Sequence, residues 1–163
     1  MIETDRLRLR PFSFADAEFI IELLNSDGWL RYIGDRNVHS RESAEAYLAN
    51  GILKNYATVG YGFWAVELIS SGEPIGMCGL IQRDTLPHPD IGFAFLPEYI
   101  GQGYGYEAAA ATLEYAFDTL KMTQVLAITV PENESSIRLL EKIGLQYTHT
   151  MDMNGEALRV FST

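Results

Sequence analysis

The chain has 163 residues, which suffice for one domain with a sizeable core, and 47% of them are hydrophobic, as in soluble globular proteins. Its formal net charge of -10 argues against nucleic acid or an anionic membrane as a partner, because both are bound by basic surfaces. Since no apolar run approaches the roughly 20 residues of a membrane helix and the N-terminus lacks a signal-peptide core, we expect a cytoplasmic protein with one domain, residues 1–163.

The first half of the chain predicts a strand followed by helices. Charged and apolar residues alternate from residue 4 to residue 10, the pattern of a half-buried strand. Ser13 and Ser40 each precede residues at helical spacing and are plausible helix caps. The predicted elements are a strand at residues 4–10, a helix from Ser13 to about Leu24, an irregular stretch at 25–37 and a helix from Ser40 to about Tyr56.

The second half predicts an antiparallel meander and then a strand–helix–strand unit. Asn154-Gly155 is the strongest hairpin signal in the chain. The predicted strands are 61–69, 74–83, 90–96, 124–130, 145–152 and 156–162, with helices at 106–120 and 133–143. This order predicts an α/β (α+β) fold, in which helices flank one mixed, mostly antiparallel sheet of about seven strands.

Neither cysteine nor histidine is arranged for a metal site. Cys78 is the only cysteine, which excludes an internal disulfide and a cysteine-rich zinc site. Its apolar, glycine-flanked surroundings favour an inert core thiol over a nucleophile. His39, His88 and His149 have no metal-ligand spacing, so we expect no metal.

The most informative stretch is a glycine-rich turn between a strand and a helix. Gly101, Gly103 and Gly105 stand at alternate positions just before the predicted helix. The first backbone N–H groups of a helix have no internal partner and, with the helix dipole, favour an anion. The stretch therefore indicates a phosphate or pyrophosphate site made of main-chain amides, although a tight turn without a ligand has the same spacing.

Residues 103–108 also fit the G-x-G-x-x-A dinucleotide fingerprint. That fingerprint requires its first glycine directly after the strand and an acidic residue at the end of the next strand. Here residues 97–101 intervene, and Glu132 comes only after the predicted strand has ended. A nicotinamide oxidoreductase is thus a weaker alternative, and the absence of Gly-Lys-Ser/Thr excludes a P-loop.

Residues 91–108 resemble the acetyl-CoA-binding segment of the GNAT superfamily of N-acetyltransferases, and three further blocks, residues 4–11, 74–80 and 133–145, are similar to the same family. The likeness is strongest to the branch that contains the ribosomal-protein alanine and serine N-terminal acetyltransferases. It implies a sheet whose fourth and fifth strands splay apart. It also implies coenzyme binding by the backbone of Phe95 and Leu96, by the amides of the turn and by the Asn133 side chain, whose alternative role is a plain helix cap. The turn residues are Gly101, Gln102, Gly103, Tyr104, Gly105 and Tyr106.

The resemblance also implies that acetyl-CoA, as a co-substrate, is attacked directly by a primary amine, either a protein N-terminus or a small amine. Where many members have a tyrosine acid this chain has Leu140, so Ser136, one turn earlier, is the candidate acid. Asp90 is the candidate base, and its alternative role is a solvated aspartate at the start of a strand. Because Leu140 cannot donate a proton, a catalytically silent acyl-CoA-binding module is an alternative function.

The acceptor pocket is the least defined part of the site. By the family architecture it lies between the loop joining the first two helices and the central strands. Trp29, Tyr32 and Trp64 are candidates to line it, although aromatic residues in such patterns are also typical of the core. The acceptor's identity and the choice between monomer and homodimer stay open.

Overall fold

The fold is built on one eight-stranded sheet, and the computed structural model describes all residues from 1 to 163. The strands are β1 (Ile2–Glu3), β2 (Leu7–Pro11), β3 (Phe63–Leu68), β4 (Pro74–Ile81), β5 (Asp90–Phe95), β6 (Leu126–Thr129), β7 (Gln146–Met153) and β8 (Glu156–Ser162). Their order is β1-β2-β3-β4-β5-β6-β8-β7, and only β5 and β6 pair in parallel. The mixed, mostly antiparallel sheet is thus confirmed, with the two-residue β1 as an added edge strand.

The helices are α1 (Ala17–Leu24), α2 (Asp27–Tyr32), α3 (Arg41–Tyr47), α4 (Leu53–Val59), α5 (Tyr104–Asp118) and α6 (Glu134–Lys142). A π-helical turn, Leu48–Ile52, joins α3 to α4 without a break. The prediction of an irregular stretch at 25–37 was wrong over α2. Gly28 does not interrupt that turn of helix, because the buried side chain of Trp29 anchors it to the core. No helix has the length and apolarity required to cross a membrane.

The two faces of the sheet carry separate cores. One face packs against α5 and α6 and includes Trp64 and Val66 of β3. The other packs against α1–α4 and includes Ala65, the residue between them. This alternation follows from the pleat, since successive side chains of a strand point to opposite faces. The face that a β3 residue occupies therefore decides which layer of helices it contacts.

The C-terminal hairpin has the predicted turn. Asn154 and Gly155 both have positive φ, 56° and 81°, as a two-residue type I′ turn requires. The turn places β8 between β7 and β6, so that β8 completes the hydrogen bonding of the short strand β6. As a result β6 is held firmly on its β8 side, and its other side faces β5.

Candidate active site

A cleft opens in the sheet where β5 and β6 diverge. The two parallel strands pair at a single position, Asp90 opposite Leu126. Beyond it a cavity of about 470 Å³ is lined by both strands, by the first turn of α6 and by residues of α2 and α3. This divergence is the splay that the sequence resemblance implied.

The inner edge of β5 presents free backbone groups to this cleft. The amide of Leu96 donates to the carbonyl of Ile75 on β4, at 2.9 Å. Because the hydrogen-bonding direction alternates along an antiparallel strand, the backbone groups of Phe93 and Phe95 point away from β4, towards the gap left by β6. Of the predicted pair Phe95 and Leu96, only Phe95 has a backbone amide open to the cleft; the Leu96 amide is committed to the sheet.

The glycine-rich turn lies at the end of β5 and leads directly into α5. Gly101 and Gly103 have φ of 83° and 86°, a conformation that glycine adopts without strain. The first amide of the helix to find an internal acceptor is that of Glu107, which donates to the carbonyl of Gly103 at 3.1 Å. The amides of Tyr104, Gly105 and Tyr106 precede it and are free for an anion, in a helix long enough to carry a substantial dipole.

The turn is fastened to the N-terminal segment of the chain. The Arg6 guanidinium donates to Glu107 at 2.8 Å and to the carbonyl of Gln102 at 3.1 Å, and it stacks 4.3 Å above the Tyr104 ring. Thr4 also donates to Glu107, at 2.5 Å. Partial burial raises the pKa of Glu107, but the hydrogen bonds from Thr4 and Arg6 outweigh it and leave the pKa below its ordinary value. Glu107 therefore holds the turn in place, and Arg6 brings a positive charge to it.

Asn133 and Ser136 lie together at the start of α6, on the wall of the cavity. The Asn133 side chain caps the helix, because its Oδ1 accepts from the Ser136 amide at 3.3 Å and from the Ser135 hydroxyl at 3.2 Å. The Ser136 hydroxyl has no hydrogen-bond partner within the chain and is only partly buried. Leu140, one turn later, also reaches the cavity and is otherwise buried.

Asp90 is buried beside the cleft, with 1% of its surface exposed, so the alternative of a solvated aspartate was wrong. Its carboxylate accepts a hydrogen bond from Arg83 Nε at 3.0 Å. Burial raises the pKa of Asp90 to about 6, and the charge and hydrogen bond of Arg83 limit the rise. A carboxylate with this pKa is mostly ionised at pH 7 and can still accept a proton.

Two of the three predicted pocket aromatics line the cavity. Trp29 and Tyr32, both on α2, are on its wall. The prediction for Trp64 was wrong, because its side chain points to the opposite face of the sheet and packs edge-on against Tyr115 of α5, with ring centroids 5.3 Å apart. Phe63, the preceding residue, lines the cavity instead.

Several residues at the site were missed by the sequence reasoning. Phe93 has the same orientation as Phe95, and strand parity is the signal that identifies it. Arg36, Tyr47 and Arg83 line the cavity from the loop after α2, from α3 and from the loop after β4. These three are distant in sequence and form no local motif, so only the fold brings them together. The structure contains no group of three or more His, Cys, Asp or Glu side chains placed to hold a metal ion.

A sheet split beside a glycine-rich helix N-terminus is an arrangement that suits an extended, phosphate-bearing ligand. Residues 6–146 match the family model described as the acetyltransferase (GNAT) domain. The chain belongs to this family and is an acetyl-CoA-dependent N-acetyltransferase. It is 32% identical over 149 residues to the N-acetyltransferase YoaA of Bacillus subtilis, covering 90% of this chain and 82% of YoaA. An acetyltransferase structure from Agrobacterium tumefaciens superposes with a TM-score of 0.84 at 26% identity, covering 99% of this chain and 92% of that one.

The similar proteins differ in the acceptors that their names give. The spermidine N(1)-acetyltransferase of Escherichia coli K12 is 26% identical over 158 residues, which are 92% of this chain and 80% of that protein. A ribosomal-protein-S5-alanine acetyltransferase from Vibrio fischeri has a TM-score of 0.82 at 18% identity, covering 99% of this chain and 94% of that one, a likeness of fold alone. The comparisons therefore do not single out the ribosomal-protein branch that was predicted from the sequence.

Proposed function

We propose that this chain binds acetyl-CoA along β5 and transfers the acetyl group directly to a primary amine in a ternary complex. The observation that carries the proposal is the row of free backbone groups at Phe93 and Phe95, which runs from the glycine-rich turn towards Asp90. This row fits an extended, amide-containing chain such as the pantetheine arm, which takes the place of the missing strand. The amides of residues 101–106 hold the pyrophosphate, and the Asn133 side chain contacts the arm.

Asp90 is the proposed base. A primary amine is mostly protonated at pH 7 and must lose a proton before its nitrogen attacks the thioester carbon. Asp90 accepts that proton directly or through a water molecule. As the new C–N bond forms, negative charge develops on the carbonyl oxygen, and a β5 amide such as that of Phe93 is placed to stabilise it. The C–S bond then breaks, and the coenzyme leaves as a thiolate.

Ser136 is the proposed donor of a proton to that thiolate, and its hydroxyl is restored by the second proton that the attacking nitrogen loses as the amide forms. It is the first-turn hydroxyl of α6, it lines the cavity and it has no partner within the chain. Leu140 lies at the position where many family members have a tyrosine acid, and it is buried in the core at 1% exposure. This leaves Ser136 as the hydroxyl of α6 that faces the cavity beside Asn133.

Ser136→Ala is expected to lower kcat by roughly 10- to 100-fold, because a thiolate is a good leaving group and needs only partial assistance. The affinity for acetyl-CoA should stay the same. The measurement is the rate of CoA thiol release at saturating acceptor. Ser135→Ala is the matched control, since Ser135 is an exposed neighbour on the same turn. An unchanged kcat in the Ser136 variant excludes the proposed role.

Acetyl-CoA binding itself is tested by thermal unfolding. A ligand at about 100 times its Kd stabilises a protein by roughly 2.7 kcal/mol, which for a domain of this size is about 5–10 °C in Tm. We expect this rise with acetyl-CoA and none with NAD at the same concentration. No rise with acetyl-CoA contradicts the proposal, and a rise with NAD alone favours a nicotinamide enzyme.

We propose a primary amine as the acceptor, either a protein N-terminus or a small amine. We also propose that the enzyme acts in the cytoplasm as a monomer or a homodimer. The cavity volume of about 470 Å³ lies in the range of small-molecule sites. A small amine is therefore the first class to screen.

A further inference from the structure

One wall of the cavity carries hydrogen-bond donors that have no partner in the chain. Arg36, in the loop after α2, forms no ion pair and no side-chain hydrogen bond, and Tyr47 on α3 has an unbonded hydroxyl. Arg83 uses Nε for Asp90, and its two terminal nitrogens are free. The wall formed by Arg36, Tyr47 and Arg83 is called the donor wall below.

The three groups of the donor wall line the same cavity, and Arg36 and Tyr47 also line a second one together. Burial raises the pKa of the Tyr47 hydroxyl, while the positive charges of Arg36 and Arg83 both act on that hydroxyl and lower it. Both guanidinium groups therefore lie within electrostatic range of the same phenol. Arg83 is 37% exposed at its side chain, so its free end is accessible from the cavity. Two cations and a hydroxyl that line one cavity suit an anionic oxygen group.

Trp29, on the same side of the cavity, adds an independent observation. Its indole nitrogen is the one buried side-chain polar atom in the whole chain without a hydrogen-bond partner, and the residue is only 7% exposed. Buried polar groups are nearly always paired in folded proteins, so this N–H lacks an acceptor that the chain itself does not supply. The missing partner of an N–H donor is an oxygen acceptor.

The cavity is lined by as many carboxylates as guanidinium groups, two of each, but only one of the carboxylates is paired with the donor wall. Asp90 is already paired with Arg83, and Glu156 lies on β8, on the wall across the cavity from α2 and α3. A polyamine has only cationic groups and needs acidic residues along its whole length. The net charge of -10 attracts cations to the protein as a whole, yet the donor wall repels a second cationic group inside the cavity.

We propose, on the basis of the function proposed above, that the acceptor is a small amino acid whose carboxylate binds Arg36 and the terminal nitrogens of Arg83. Its amino group then points towards Asp90, which Arg83 holds next to the same wall. Arg36 is thus a specificity-determining residue: it selects acceptors that carry a carboxylate near the amine.

The first experiment compares acceptors that differ only in the carboxylate. CoA thiol release is measured for a panel of L-amino acids, for the matching L-amino acid amides and for spermidine. The amide keeps the amine and the side chain and replaces the negative charge with a neutral group. Its amine is also the less basic one, so chemistry alone favours the amide. We expect the best amino acid to exceed its amide by at least 10-fold in kcat/KM.

The second experiment removes one cation of the donor wall. Arg36→Gln should raise KM for the amino acid by about 10-fold or more and leave KM for the amide unchanged, and Arg36→Lys should recover part of the loss. Arg31→Gln is the matched control, because Arg31 is an exposed neighbour that stacks on Tyr32 and does not line the cavity. The Tm rise with acetyl-CoA should be the same in all variants.

The outcomes separate this inference from the proposed function. Turnover of amides or spermidine with none of the amino acids, or an equal effect of Arg36→Gln on acid and amide, overturns the carboxylate site and leaves the acetyltransferase proposal standing. Turnover of no amine at all overturns both. A preference for the acid that disappears in Arg36→Gln and persists in Arg31→Gln establishes the site.

Discussion

Asp90→Asn is expected to lower kcat by about 100- to 10,000-fold, the range typical of a lost general base. Asparagine keeps the shape and the hydrogen-bonding reach of the side chain but cannot accept the proton of the incoming ammonium group. The buried carboxylate of Asp90 lies on the cavity wall and has a pKa of about 6. Steady-state rates and the Tm rise with acetyl-CoA, measured on the same preparation, separate a loss of chemistry from a loss of binding.

The pH dependence of the natural enzyme's activity provides a second test of the proposed role of Asp90. The proposed base accepts a proton only in its ionised form, so we expect kcat/KM to fall as the pH is lowered through about 6. Asp84→Asn is the matched control, since Asp84 is exposed, lies in the loop that leads from β4 to Asp90 and does not line the cavity. An acid limb that persists in Asp90→Asn excludes Asp90 as the group that titrates.

Stability should change in the opposite direction to activity. The pKa of Asp90 is about 6 in the folded chain, above its ordinary value of 3.8, so the folded state binds this proton more tightly than the unfolded state. The contribution of Asp90 to stability is therefore lost as pH rises from about 4 through 6. Asp90→Asn stays neutral at every pH, and its Tm at pH 7 should equal or exceed that of the natural protein. A variant that is both inactive and unstable indicates a structural role.

Gly101→Asp is expected to weaken acetyl-CoA binding by roughly 30- to 150-fold relative to Gly101→Asn. Gly101 has φ of 83°, a conformation that Asn and Asp tolerate best after glycine, and a side chain added there meets nothing within 4 Å. The two variants have the same size and the same backbone demand. They differ by one negative charge, and a like charge on a pyrophosphate would cost about 2–3 kcal/mol at a separation of roughly 6–7 Å and an effective dielectric constant of about 20.

Varying the ionic strength provides the control for the comparison of Gly101→Asp with Gly101→Asn. The difference in Kd between the two variants should shrink as ionic strength rises, because exposed charges are screened within about 10 Å at 0.1 M and about 3 Å at 1 M. Equal affinities of the two variants at low salt mean that the pyrophosphate lies elsewhere, and the glycine-rich turn is then structural.

The parts of the site that were predictable from sequence are those encoded by neighbouring residues. The glycine-rich turn and the Asn154-Gly155 hairpin each depend on a few adjacent residues with particular backbone requirements, and both have the expected geometry. Apart from β1 and α2, the order of strands and helices followed from periodicity in the same way. Each of these features is encoded by residues that are close together in sequence, so it can be recognised without knowledge of the tertiary fold.

The features that were not predictable depend on which side a residue faces or on contacts across the chain. Trp64 and Phe63 are equally aromatic neighbours, and only the pairing of β3 with β2 and β4 decides which of them reaches the cavity. Arg83 and Asp90 are close in sequence, but a loop separates them and their ion pair forms only when β4 and β5 pair in register. Arg6 and Glu107 are 101 residues apart in sequence, and only the tertiary fold brings them into contact.

The single bridge between β5 and β6 also has a mechanical consequence. Strands β1–β5 form one hydrogen-bonded unit and β6–β8 form another, and the sheet joins them only at Asp90 and Leu126. A ligand lying in the cleft and bonded to the backbone of β5 adds contacts across this seam, so that the two units behave as one continuous sheet. With acetyl-CoA bound along β5 as proposed, we therefore expect the protein to be at its stiffest, and we expect the departure of CoA after each turnover to loosen the wall of the acceptor site.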